Sequence, residues 1–369
     1  MVSVVMSVFN GERFLAEAVD SILNQSFLEF EFIVIDDGST DRSASILDSY
    51  QSCDARMRVY HEEHSGLVKS LNRGCELAQG KYIARMDADD VASKDRLALQ
   101  VGFMEVHQEI GVIGGTVEWI NAIGKSLGIY NNPSEDREIK ADLLVHRRCA
   151  FWHPTVLLRR EVFAWAGGYR CTVVGAEDYD FWLRIAENFQ LANLETVLLK
   201  YRIHSCQESI QKRIPQTLGT LAAQVAAKRR KDGLPDPLSE VIEITPDALV
   251  AWGIPLAEQR SEIFYEYRKW IRMMCAAGEY ATALKAAREV LKTGVEDVER
   301  WQVADLHLTI AKLLWREGQF LGSAISAGHA LLLRPLVAGR PVKRLLMGSP
   351  NVHRVGGSAD TSRQLERVR

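Results

Sequence analysis

Four short runs rich in β-branched and aromatic residues fall at residues 2–9, 30–35, 57–60 and 81–86, and each gap between them carries apolar residues at helical spacing. In the first gap the spacing is Phe14, Leu15, Ala18, Ile22 and Leu23. In the second, Asp41 reads as the N-cap of a helix running to about residue 50, and in the third the pattern predicts a helix over 67–77. Strands that are largely apolar along their length, separated by helices, demand βαβ units and a mostly parallel sheet buried on both faces. The expected fold class is therefore α/β, with a Rossmann-like sheet flanked by helices.

Beyond Arg96 the alternation loosens. A helix is expected over 97–107, strands near 112–119 and 156–158, a helix after Glu177 and a strand over 197–202. After Ser205 the chain turns nearly all helical. A helix over 216–230 ends in the basic cluster Lys228-Arg229-Arg230-Lys231, and Gly233-Leu234-Pro235-Asp236-Pro237 reads as a linker. Gly278, Tyr280, Ala283, Ala287 and Leu291 recur 40 residues on as Gly318, Phe320, Ser323, Ala327 and Leu331. That spacing resembles tetratricopeptide hairpins, with a plain helical bundle as the open alternative. The expected domains are a catalytic unit over 1–212, a helix and linker over 213–235, a helical unit over 236–335 and a basic tail, partly disordered, over 336–369.

With 47% hydrophobic residues, the 369-residue chain needs no staple to fold, and its net charge of −3 excludes a general pull toward nucleic acid. Six cysteines without a C-x-x-C pair argue against structural zinc and fit a reducing cytoplasm. The apolar start, Met1 to Met6, lacks a basic flank and reaches Asn10-Gly11 quickly, so it reads as a buried strand, not a signal peptide. No stretch approaches the ~18 continuous apolar residues of a membrane span.

Ligands of a parallel sheet gather beyond the C-terminal ends of its strands. Two acidic clusters sit there, Asp36-Asp37 and Asp87-Ala88-Asp89-Asp90. Asp87 and Asp89 are two residues apart and project the same way from extended backbone, which suits one divalent cation together with ribose hydroxyls or a diphosphate. The plain alternative is a set of helix caps or solvated loop acids. His61-Glu62-Glu63-His64 lacks the H-E-x-x-H spacing of a metal site and reads as exposed surface.

The surroundings of these clusters resemble glycosyltransferase family 2. The carrying residues are Val4 to Gly11, Ser21 to Phe27, Ile33-Val34-Ile35-Asp36-Asp37-Gly38-Ser39-Thr40-Asp41, Gly66 with Asn72 and Gly74, Gly80 to Asp90, Glu177-Asp178-Tyr179-Asp180-Phe181-Trp182-Leu183-Arg184, and Tyr201-Arg202 with His204. The resemblance implies a GT-A fold and an inverting glycosyltransferase. It further implies a nucleotide-sugar donor, with a UDP-sugar preferred, and a divalent metal, Mn²⁺ or Mg²⁺. Carried over by position, Ser7, Asp36, Asp37 and Asp87 would bind the donor, with Asp37 on the base and Asp87 toward the ribose. Asp89 would hold the metal, His204 would complete that site, and Asp178 would be the general base.

Asp178 stands at a predicted helix start, where a carboxylate is also favoured by the dipole alone. The absence of a Q-x-x-R-W motif favours single-sugar addition. The His153-Pro154-Thr155 and Gly167-Gly168-Tyr169 segments resemble positions flanking an acceptor, expected to be a glycan or lipid-linked hydroxyl in cell-surface polysaccharide synthesis. The expected location is cytoplasmic, with peripheral contact to the inner face of the membrane, and the C-terminal helices suggest a protein partner. Two alternatives stand beside this: a sugar nucleotidyltransferase, disfavoured by the single glycine of Asn10-Gly11-Glu12-Arg13, and a non-catalytic scaffold on a transferase fold.

Overall fold

The computed structural model describes residues 1–207 and 212–335, so the basic tail expected over 336–369 lies outside the described residues. By internal contacts the chain divides into one unit over Met1–Val298 and a second over Glu299–Arg369.

The first unit opens with β1 (Val2–Val8), α1 (Leu15–Leu23), β2 (Phe30–Asp37), α2 (Ser43–Cys53), β3 (Met57–Glu62), α3 (Leu67–Leu77) and β4 (Tyr82–Asp87). These are the βαβ units expected from the apolar runs. The order β3-β2-β1-β4 is parallel throughout, with Val8 opposite Asp36 and Ser7 opposite Asp87. Val2, Val4, Met6 and Val8 alternate onto one face and share a core with Leu15, Ala18, Val19 and Ile22 of α1. The opposite face carries α3. A Cβ at Gly74 would meet Val5 Cγ1 at 2.5 Å, so α3 can lie this close to β1 only with glycine there.

After β4 come β5 (Val91–Ala92), α4 (Arg96–Val106), β6 (Ile110–Asn121), β7 (Ser126–Tyr130), α5 (Asp136–Leu144), β8 (Leu157–Arg159), α6 (Arg160–Ala166), α7 (Glu177–Ala186) and β9 (Gln190–Ile203). They extend the sheet as β4-β8-β6-β9-β5, with β8 antiparallel to both neighbours and β7 an antiparallel partner of β6. The result is a mixed sheet flanked by helices, the architecture the resemblance implied. β9 begins seven residues before the expected strand, because Gln190-Leu191-Ala192-Asn193-Leu194 gains its extended form by pairing along β6 and carries little intrinsic β signal. Asp41, expected at the N-cap of α2, lies one residue before the capping position, which is Arg42. It accepts instead from the Ser43 and Glu12 backbone N–H groups, at 2.9 and 3.0 Å, and so ties the loop after β1 to the loop after β2.

Helices α8 (Arg213–Lys231), α9 (Pro246–Ala251), α10 (Leu256–Ala277) and α11 (Tyr280–Lys292) complete the unit. α10 packs against α8 and buries Phe264, Tyr267, Trp270 and Ile271. The second unit contains α12 (Arg300–Arg316) and α13 (Phe320–Leu333), packed on each other. Gly278 and Gly318 both adopt left-handed backbone, at φ 87° and 73°, where α10 and α12 end, and Tyr280 and Phe320 open the helices that follow. The repeated sequence pattern is thus a repeated helix–glycine–helix turn. Among the described residues, no helix is long and apolar enough to cross a membrane.

Candidate active site

The carboxylates predicted from sequence converge on the C-terminal edge of the sheet. Asp36 and Asp37 end β2 and are almost fully buried. Asp36 accepts from the Ser39 N–H at 3.1 Å and faces His61 Nδ1 at 2.8 Å, while His61 Nε2 faces Asp48 at 3.0 Å. Asp37 accepts from the backbone N–H groups of Ser65 (2.8 Å) and Gly66 (2.9 Å) and from the Ser65 hydroxyl, and His64 Nδ1 lies 2.9 Å from it. The His61-Glu62-Glu63-His64 run is exposed at both histidines, as expected, and those histidines also hold the β2 carboxylates. Asp36, followed by Asp48, raises the pKa of His61. The exposed ring of Phe9 stacks on His64 at 4.1 Å, just past the end of β1.

The second cluster lies two strands over, at the end of β4, with β1 between. Asp87, Asp89 and Asp90 each bring a carboxylate oxygen within 4.8 Å of the others, Asp87 and Asp89 half-buried and Asp90 buried. Asp90 Oδ1 accepts from the Arg202 N–H at 2.8 Å, and its Oδ2 is buried with no hydrogen-bond partner. Burial, then the charges of Asp89 and Asp87, push its carboxyl well above the usual range. His204 Nε2 stands 2.8 Å from Asp89 Oδ2, so the structure joins these two predicted residues. Arg202 donates from Nε to the Asp89 carbonyl at 2.7 Å.

Arg85, which lies within the Gly80–Asp90 run but was given no role there, is buried and ion-paired with Asp87. Burial opposes its charge, but the Asp87 carboxylate more than offsets this and keeps the guanidinium protonated. A buried polar residue inside an otherwise apolar strand was the available signal.

Asp178 occupies the second position of α7, half-buried, and accepts from the Tyr179 N–H at 2.7 Å. Burial raises its pKa, opposed by that N–H, by the Arg85 guanidinium and by the Cys149 thiol 3.7 Å away. Asp180 is fully buried and ion-paired with Arg184 (2.9 Å) and Arg170 (3.5 Å). Arg184 donates to the Gly168 carbonyl at 2.7 Å, Asn72 clasps both backbone groups of Tyr169 at 2.8 Å, and the Tyr169 hydroxyl meets His153 Nε2 at 2.9 Å. Motifs 97 residues apart in the chain thereby form one wall.

Residues 3–164 match the model of Glycosyl transferase family 2. The O-antigen biosynthesis glycosyltransferase WbnJ of Escherichia coli is 34% identical over 209 residues, covering 56% of this chain and 80% of WbnJ. The chain belongs to glycosyltransferase family 2. A further relative, an uncharacterized glycosyltransferase of Haemophilus influenzae, is 33% identical over 57% of this chain and 67% of its own length. Among solved structures, the transferase is similar to the mannosyltransferase PcManGT of Pyrobaculum calidifontis, in complex with GDP-Man and Mn²⁺. That similarity has 20% identity and a TM-score of 0.49 over 88% of this chain and 86% of that one. Membership of a glycosyltransferase family sets aside the nucleotidyltransferase and scaffold alternatives.

Proposed function

We propose that this transferase moves a single sugar, with inversion, from a nucleotide-sugar donor to an acceptor hydroxyl, assisted by Mn²⁺ or Mg²⁺. The observation that carries the reading is the Asp87, Asp89 and Asp90 cluster, in which one carboxylate oxygen from each residue lies within 4.8 Å of the others, and beside it Asp90 Oδ2 is buried without a hydrogen-bond partner. Three carboxylates this close repel one another and leave a buried acceptor oxygen unsatisfied, which is the donor set a hard cation takes. Asp89 would hold the cation with His204 beside it. When bound, it supplies charge neutralisation to the departing diphosphate.

The remaining roles fall to the chain itself. Ser7 and Asp87 lie side by side on β1 and β4, positioned to meet the ribose. The oxygens of Asp37 are already engaged by Ser65, Gly66 and His64. We therefore read its contribution to the base as fixing the turn and the Phe9–His64 stack against which a flat heterocycle can lie. Asp36 supports that turn through His61. Asp178, with a raised pKa and a half-open carboxylate, takes the acceptor proton as the hydroxyl attacks the anomeric carbon. The acceptor is a glycan or lipid-linked hydroxyl, and the exposed Lys228 and Lys231 at the end of α8 suit peripheral contact with an anionic membrane surface.

A thermal-shift screen of UDP-sugars, GDP-mannose and the free nucleoside diphosphates, with and without Mn²⁺, tests the reading. A nucleotide at about 100 times its Kd stabilises by roughly 2.7 kcal/mol. The expected outcome is a nucleotide shift that needs Mn²⁺ and disappears in Asp89→Ala. Equal shifts in chelator would remove the metal from the account.

A further inference from the structure

Left-handed backbone just past a helix end is glycine's usual place. At the end of α5 that conformation belongs to Arg147, at φ 55°. The Val145 and His146 N–H groups both donate to the Ala141 carbonyl and the Arg148 N–H donates to the Asp142 carbonyl, so residues 145–148 fold back on the helix. An arginine keeps so costly a conformation only where its surroundings over-determine it.

What holds it lies on α10. Arg147 Nη2 meets Glu258 Oε1 at 2.7 Å and Nη1 meets Glu262 Oε1 at 3.2 Å. Glu258 and Glu262 are one helical turn apart and would repel each other without the guanidinium fork between them. Two residues further on, the Cys149 Sγ donates to the Phe151 carbonyl at 3.3 Å and reaches Asp178 Oδ2 at 3.7 Å. Asn193 Nδ2 then fixes the Ala150 carbonyl at 2.9 Å. The stretch from α10 to the proposed base is thus a short series of direct contacts with a strained residue at its head.

We propose that Arg147 is a positioning residue for transfer. Its clamp on Glu258 and Glu262 holds the 145–149 segment, and with it the Cys149 thiol, against the Asp178 carboxylate, so α10 takes part in assembling the acceptor side of the site. The inference rests on the reading of Asp178 as the base.

Cys149 is exposed, and it reports on the clamp without any substrate. Its thiol is held above the usual value by its crowded surroundings and by the Asp178 carboxylate. The experiment follows iodoacetamide alkylation of Cys149 in the full chain, resolved from the other cysteines by peptide mass. In Arg147→Ala, loosening the segment is expected to raise the alkylation rate by about tenfold. Turnover of the donor found in the screen should fall in kcat with the donor KM unchanged. The swap Arg147→Glu with Glu258→Arg should restore both.

Wild-type alkylation in an Arg147→Ala protein that melts at the wild-type temperature overturns the proposal. So does faster alkylation with unchanged kcat. If Arg147→Ala fails to fold, Glu258→Gln with Glu262→Gln opens the same clamp from α10 and is judged by the same criteria. Asp178→Asn is run in parallel: retained turnover there would fell the base reading itself, whereas the Arg147 criteria can fail while Asp178→Asn stays inactive.

Discussion

Under the proposed mechanism, Asp178 is the residue that separates binding from chemistry. On the proposed reading, Asp178→Asn keeps the side chain's size but cannot accept a proton, and turnover should drop by about 10²–10⁴. Nucleotide affinity should hold, because the donor contacts rest on Ser7, Asp87 and Asp89; a variant that turns over near normally would move the base elsewhere. Because burial raises the Asp178 pKa, the acid limb of kcat/KM should lie above the ordinary carboxylate range, with activity lost as pH falls through the raised value. His61 gives a second pH signature. Its pKa is raised by Asp36 and Asp48, so the stability that it lends is fully present below its unfolded value of about 6.5 and is lost as pH rises through the folded value. His61→Gln should flatten that part of the melting-temperature profile. Asp87-Ala88-Asp89-Asp90 was legible in the sequence because its geometry is local: spacing along one strand end fixes which carboxylates meet. The pairings of Arg147 and the two histidines were not, because their partners come from other elements, Asp36 lying 25 residues from His61 and Glu262 lying 115 from Arg147.

At the scale of elements, strand ends and the turns that follow them carry the site. Asp37 is the clearest case, since its carboxylate receives the N–H groups of the turn that leads into α3. Asp37→Ala would bury those donors without an acceptor and should cost about 1–3 kcal/mol in chemical unfolding, along with weaker nucleotide binding. A variant of unchanged stability would mean that water replaces the carboxylate there. The first four strands and three helices were readable from local pattern, because β1, β2 and β4 are apolar enough to be buried on both faces, β3 keeps a short β-rich run at the sheet edge, and helix spacing or a cap residue marks the gaps. α3 appears at its expected residues, 67–77. The first half of β9 was not readable: its residues are mixed, with no run of β-branched or aromatic side chains, and pairing with the neighbouring β6 makes them a strand. The wall formed by Asn72, His153, Tyr169 and Arg184 was equally hidden, being made of long-range contacts that no local pattern announces.

For the whole molecule, the helices of the first unit belong with the catalytic sheet. Phe264, Tyr267, Trp270 and Ile271 of α10 are buried, and large apolar side chains contribute roughly 1.5–3 kcal/mol each on burial. A chain ending at Val298 should therefore keep cooperative melting and the Mn²⁺-dependent nucleotide shift. One ending at Lys231 should melt lower and lose turnover, and an unchanged melting temperature there would show that α10 adds nothing. The central claim, a single displacement with Asp178 opposite the leaving diphosphate, is tested most directly by ¹H NMR of the sugar first released from an α-linked nucleotide sugar in Mn²⁺. The account predicts that the β anomer appears first, before mutarotation, with release suppressed in Asp178→Asn and in chelator. First appearance of the α anomer would contradict it.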